Sequence, residues 1–129
     1  ESREPGPEGN IILVVDDEAT IRELVIRLLE AGGYQAVGAR NGLEALSLFR
    51  KSPHLYSTVL TDMTMPAMDG AELVAEMRKC RSDLRVVVCS GLDSPSEGPL
   101  RSLPEPYSFL RKPFSSRELL RSVNPGKDI

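Results

Sequence analysis

The sequence predicts an α/β protein built on an open, five-stranded parallel sheet with helices on both faces. Three observations predict it. Short apolar runs alternate with amphipathic stretches along the chain, the order that yields parallel strands joined by crossover helices. The first run, Ile11 to Val15, is apolar at every position rather than every second one, as a strand covered on both faces must be. Four of the runs also end in polar residues capable of chemistry: Ile12–Val15 into Asp16-Asp17, Thr58–Thr61 into Asp62, Val86–Cys89 into Ser90, and Tyr107–Leu110, after Arg111, into Lys112. Ligands of open parallel sheets sit outside the carboxyl ends of the strands. Three carboxylates, a hydroxyl and an ammonium are therefore expected to converge at one edge.

Each element follows from local pattern. Residues 1–10 carry Pro5, Gly6, Pro7 and Gly9 with glutamates and no apolar period, and read as a linker. The first strand is Ile11 to Val15. From Ala19 the period changes, and Ile21, Leu24, Val25, Leu28 and Leu29 mark one face of a helix. Gly32-Gly33 supplies its left-handed stop. Tyr34 to Ala39 forms a weaker second strand. Asn41-Gly42 opens a helix carrying Leu43, Leu46 and Phe49, broken near Ser52-Pro53. The third strand is the run from Ser57 to Thr61, followed by a methionine-rich loop from Asp62 to Asp69. A helix from Gly70 to Lys79 turns Leu73, Val74 and Met77 inward, and Leu84 to Cys89 is the fourth strand. Pro95, Gly98, Pro99 and Pro104 leave room for little more than a turn around Leu100 to Leu103. Tyr107 to Leu110 is the fifth strand. Ser115-Ser116-Arg117-Glu118 is a capping box for a last helix with Leu119, Leu120 and Val123, and Asn124-Pro125-Gly126 stops it. The domain thus spans 11–123, with a tail at 124–129. Right-handed crossovers and the flavodoxin-like, doubly wound order 2-1-3-4-5 place the switch point between the first and third strands. Those strands carry Asp16-Asp17 and Asp62.

Composition narrows the function classes. The length of 129 residues suits one domain with a real core. A net charge of −3 argues against a nucleic-acid surface. The densest basic group, Arg78, Lys79, Arg81 and Arg85, reads as a solvated helix end. Cys80 and Cys89 have no metal or redox spacing, and Cys89 reads as a buried small hydrophobe in a reducing, cytoplasmic setting. No run is long enough to span a bilayer, and residues 1–10 lack a signal peptide's apolar core.

Each polar residue at a strand end has a plain structural explanation when taken alone. Asp16-Asp17 can cap the first helix, Asp62 can be a solvated strand end, and Ser90-Gly91 and Lys112-Pro113 can be turns. Their coincidence at one edge argues for chemistry. Carboxylates call for a hard divalent cation. A cation, a hydroxyl and a lysine beside a spare carboxylate describe a site that places a phosphoryl group on that carboxylate. His54 lacks a ligand-spaced partner and reads as a loop residue. Met63, Met65 and Met68 read as packing for the loop. No G-x-G-x-x-G follows a strand.

The motifs Ile12-Leu13-Val14-Val15-Asp16-Asp17-Glu18, Asn41-Gly42-Leu43-Glu44-Ala45-Leu46, and Thr61-Asp62-Met63-Thr64-Met65-Pro66-Ala67-Met68-Asp69-Gly70 resemble those of a known family. Val86-Val87-Val88-Cys89-Ser90-Gly91 and Phe109-Leu110-Arg111-Lys112-Pro113-Phe114 extend the resemblance over Ile11 to Val123. The family is the receiver domain of two-component response regulators and hybrid histidine kinases. The resemblance implies Asp62 as phosphoacceptor. It implies Mg²⁺ held by Asp17, Asp62 and the backbone carbonyl of Thr64, with Asp16 acting through water. It also implies Ser90 and Lys112 as binders of phosphoryl oxygens, Phe109 as the switch aromatic, and a cis bond before Pro113. Phe109 has no hydroxyl, so its switching rests on packing alone.

The implied partner is a histidine kinase or phosphotransfer protein, and the implied role is a signalling module rather than an enzyme. The Pro/Gly/Glu-rich leader and the short tail favour a place at the end of a hybrid histidine kinase, with a stand-alone regulator as the alternative. An aspartyl-phosphate phosphatase would want an acid two residues after the nucleophile, where Thr64 stands. A flavin module would want a phosphate loop where Asp16-Asp17 stands. A pseudo-receiver, serving only as a docking module that is never phosphorylated, remains the alternative function.

Overall fold

The computed structural model of the chain describes residues 10–63, 65, 67–91, 103 and 106–123. Along them run β1 (Ile11–Val15), α1 (Ala19–Ala31), β2 (Gln35–Ala39), α2 (Gly42–Lys51), a 3-10 turn (Pro53–Leu55), β3 (Tyr56–Asp62), α3 (Gly70–Cys80), β4 (Arg85–Ser90), β5 (Ser108–Arg111) and α4 (Ser116–Val123). The strands form one parallel sheet in the order β2-β1-β3-β4-β5, the flavodoxin-like order that the sequence predicts. The expected turn around Leu100, most of the proline-rich stretch from Leu92 to Pro106, the expected tail and nearly all of the expected linker lie outside the described residues.

The strand β1 shows why its run is apolar throughout. Leu13 and Val15 enter a core shared with Ala45 and Phe49 of α2 and with Leu73, Val74 and Met77 of α3. Ile12 and Val14 enter the opposite core, shared with Val25 and Leu29 of α1 and with Leu119 and Val123 of α4. Successive side chains of a strand point to opposite faces, so each residue meets a different layer. The four buried side chains of β1 stabilise the fold by roughly 6–12 kcal/mol before ordering entropy is subtracted.

Helix starts follow the local chemistry. Asn41 Oδ1 accepts from Glu44 N at 2.7 Å. Asp69 and Glu72 form a reciprocal capping box at the start of α3. Ser115 and Glu118 do the same for α4, with Glu118 N donating to Ser115 Oγ at 3.1 Å and Ser115 N to Glu118 Oε1 at 2.8 Å. After α1, Gly33 takes a φ of +95°, a backbone angle that costs glycine little.

Three expectations are corrected. Leu24 and Leu43 lie half in solvent, 50% and 55% exposed. On α1, Val25 and Leu29 are the residues buried against the sheet, and Leu24, about 100° round the helix from Val25, falls on its flank. Leu43 sits in the first turn of α2, ahead of the buried Ala45, Leu46 and Phe49. The basic group at the end of α3 is not simply solvated either. Arg81 donates to the backbone carbonyls of Pro53 and Tyr56 and pairs with Asp83 at 3.1 Å. Arg78 donates to the carbonyls of Leu84 and Pro106. These guanidinium groups fasten the edge of the sheet where β3 and β4 begin.

Met63 and Met65 are buried, and Met68 packs against the same core. Cys89 is buried while Cys80 is exposed. His54 is exposed on the 3-10 turn.

Candidate functional site

Backbone pairing carries β3 and β4 one residue further than the apolar runs suggest. Asp62 pairs with Cys89 and Ser90 with Arg111 in the sheet register. Asp62 and Ser90 therefore close their strands as parts of the ladder. Met63 N donates to Cys89 O at 3.1 Å, and Lys112 N donates to Ser90 O at 2.9 Å. The β1 end is tied in the same way, with Asp16 N donating to Ala39 O at 3.2 Å.

This edge gathers Asp16, Asp17 and Asp62, each with a carboxylate oxygen within 4.8 Å of the others. Asp16 is buried, Asp62 half-buried and Asp17 exposed. Lys112 Nζ lies 2.9 Å from Asp62 Oδ1 and 3.6 Å from Asp16 Oδ2. Asp16 Oδ1 accepts from Glu18 N at 2.9 Å, so Asp16 also orders the entry to α1. Ser90 is 5% exposed. Phe109, partly buried, packs against the core that lies under α2 and α3. The peptide bond between Lys112 and Pro113 is cis. Thr64 lies outside the described residues.

Electrostatics follow from this crowding. Burial pushes the Asp62 carboxyl above the usual range, and the charges of Asp16 and Asp17 add to the rise; hydrogen bonding to Lys112 and its charge oppose it without cancelling it. For Lys112, burial works against the charged form. The hydrogen bond to Asp62, and the charges of Asp62 and Asp16, outweigh that and raise its pKa. Behind them, burial pushes the Cys89 thiol up to about 12. Three carboxylates facing one ammonium leave a surplus of negative charge on hard oxygen donors, a set that fits Mg²⁺ rather than a soft metal.

The end of β3 is also held from behind. Gly70 N donates to Met63 O at 3.0 Å. A Cβ on Gly70 would stand 2.9 Å from Asp62 O and 2.9 Å from Met63 Sδ, so only glycine lets α3 start this close to the end of β3. Gly42, at the start of α2, is equally close to Met68 O, at 2.9 Å from a built Cβ. Arg22, to which apolar periodicity assigns no role, donates from Nη1 to Asp16 O at 2.8 Å. The signals that could have exposed these residues, two glycines at helix starts and an arginine one turn into α1, are too common to stand out.

A profile of the family described as "Response regulator receiver domain" matches residues 12–124. The response regulator receiver protein CpdR of Brucella abortus is 30% identical over 112 residues, covering 87% of this chain and 92% of that protein. The sensor kinase CckA of the same organism is 34% identical over 114 residues, covering 87% of this chain but 12% of the kinase. The crystal structure of a response regulator receiver domain protein from Clostridium thermocellum superposes with a TM-score of 0.82 at 30% identity, covering 89% of this chain and 91% of that one. Fold and acidic edge together define a receiver-type signalling module. The chain belongs to the response regulator receiver domain family of two-component signalling.

Proposed function

We propose that this domain takes a phosphoryl group from the phosphohistidine of a histidine kinase or phosphotransfer protein onto Asp62. The observation that supports this reading best is Asp62 at the end of β3, in reach of Asp16, Asp17 and the ammonium of Lys112. In the reaction a carboxylate oxygen of Asp62 forms a bond to phosphorus. The phosphorus–nitrogen bond of the donor breaks, and its electron pair leaves with the imidazole. Such transfers depend on positioning and charge neutralisation more than on covalent help from the protein.

Asp17 and Asp62 would hold Mg²⁺ with the backbone carbonyl of Thr64, and Asp16 would act through water. Bound there, the ion neutralises charge that three carboxylates and an anionic donor would otherwise set against each other. Lys112, already at Asp62, supplies a point charge to a phosphoryl oxygen. The Ser90 hydroxyl donates to another. Movement of Ser90 toward the acyl phosphate lets Phe109 turn inward, so a local contact biases the surface of β4 and β5 between two states. The setting is the cytoplasm, with which two free cysteines agree. Among the described residues no helix is long and apolar enough to cross a membrane.

The test is direct. The protein is incubated with acetyl phosphate and MgCl₂, reduced with borohydride and mapped by mass spectrometry. One modified residue, Asp62, is expected, and none in Asp62→Asn. Label at Ser90 or His54, or undiminished label in the variant, refutes the assignment.

A further inference from the structure

We propose that Arg22, seated over Gly38, is a positioning residue that sets the Asp16-Asp17 pair for the cation, and that it tightens Mg²⁺ binding although its own charge opposes it. The proposal rests on the reading of the acidic edge as a Mg²⁺ site.

The geometry runs through one peptide group. Asp16 is restrained at every polar atom: its N donates to Ala39 O, its Oδ1 accepts from Glu18 N, its Oδ2 faces Lys112 Nζ, and its carbonyl oxygen accepts from Arg22 Nη1 at 2.8 Å. The carbonyl oxygen of Asp16 and the nitrogen of Asp17 belong to one rigid plane. Fixing the carbonyl therefore fixes the direction from which Asp17 leaves the chain. Asp17 itself is exposed.

A second observation comes from β2. Gly38 pairs with Val14 in the sheet register. A Cβ placed on it would stand 3.1 Å from Arg22 Cδ, 3.3 Å from Arg22 Cγ and 2.9 Å from Ile26 Cδ1. The missing side chain at 38 is the space that lets the Arg22 stem lie against the sheet and reach back to β1. Arg22 N itself donates to Glu18 O at 2.9 Å, so the residue belongs to the first hydrogen-bonded turn of α1 and moves with it.

Charge and geometry predict opposite signs, which makes the test sharp. A guanidinium near the site repels a cation, so removing it for charge reasons alone would tighten Mg²⁺ binding. Losing a group that orients ligands from behind weakens it, by about tenfold at the modest end of such effects.

The experiment titrates MgCl₂ into the unsubstituted protein, Arg22→Ala, Gly38→Ala and Asp17→Asn. It follows amide shifts and records melting in EDTA. Gly38→Ala keeps the charge of Arg22 but crowds its stem. Weaker Mg²⁺ binding in both Arg22→Ala and Gly38→Ala, with metal-free melting little changed, is the expected result. Unchanged or tighter binding in Arg22→Ala overturns the proposal. If Arg22→Ala does not fold, Gly38→Ala decides: weaker binding supports the proposal and unchanged binding overturns it. Loss of Mg²⁺ binding in Asp17→Asn with none in the two Arg22-directed variants shows that this assignment alone has failed. Mg²⁺ binding that survives in Asp17→Asn, or is absent from the unsubstituted protein, shows that the metal-site reading has failed and takes this proposal with it.

Discussion

Replacing Asp17 by Asn should raise the stability of the metal-free protein and abolish the stabilisation by Mg²⁺. The carboxylate oxygens of Asp16, Asp17 and Asp62 lie within 4.8 Å of one another. Two unit charges at that distance repel by about 0.9 kcal/mol in water and about 3.5 kcal/mol at an effective dielectric near 20. Asp17 is exposed, and the Lys112 ammonium beside Asp62 and Asp16 offsets part of the repulsion, so the low end applies. The gain in EDTA is about 1 kcal/mol, or ~4 °C in melting temperature for a chain of this size. Mg²⁺ acts on the unsubstituted protein alone. At ten times its dissociation constant it adds about 1.4 kcal/mol, which brings that protein past the variant. Calorimetry in EDTA and then in MgCl₂ should therefore show the two melting curves exchange order. If Asp17→Asn melts clearly earlier in EDTA, Asp17 serves mainly to start α1 and the repulsion argument is wrong. If Mg²⁺ raises both proteins equally, Asp17 is not a ligand.

Three more outcomes follow from the same geometry. Lys112→Ala removes the cation that competes for Asp62, so Mg²⁺ should bind at least as tightly, while the amide-shift response to BeF₃⁻ with Mg²⁺ is lost; a normal response would contradict the phosphoryl-binding role. Cys80 should react with a thiol reagent in the native protein and Cys89, with its thiol pushed up to about 12, only after unfolding; two fast equivalents would show that β4 opens readily. Gly70→Ala forces a Cβ to within 2.9 Å of Asp62 O and should cost about 1–3 kcal/mol of packing strain, reduced by up to about 1 kcal/mol of helix propensity; an unchanged urea midpoint would show that α3 shifts freely away from β3.

Strand order and the convergence of polar ends were legible because both follow from rules that act on each run separately. An apolar run such as Ile12–Val15 must be covered twice, and parallel strands must all end at the same edge. The capping box of Ser115 with Glu118 was legible for the same reason, since its chemistry lies within four neighbouring residues. Leu24 and Leu43 misled because helical period marks a face but not how far the neighbouring sheet extends beneath it. Arg81 misled because charge density near a helix end looks solvated until the carbonyls of Pro53 and Tyr56 arrive from a distant part of the chain. Arg22 and Gly38 were invisible because their partnership exists only once β2 lies beside β1. A close approach of this kind leaves no periodic trace.

The ion pair between Lys112 and Asp62 joins residues 50 positions apart, and it has a kinetic consequence. Closing a loop of that span costs entropy that the pairing of β4 with β5 helps to offset. A chain that has been synthesised only as far as β4 holds the carboxylates of Asp16, Asp17 and Asp62 with no ammonium to balance them. The charge-balanced edge comes into being when the fifth strand docks against β4 and brings Lys112 with it. On the proposed reading of Asp62 as phosphoacceptor, the site would be complete only when the sheet is, and an unfinished chain would offer a donor three unbalanced carboxylates.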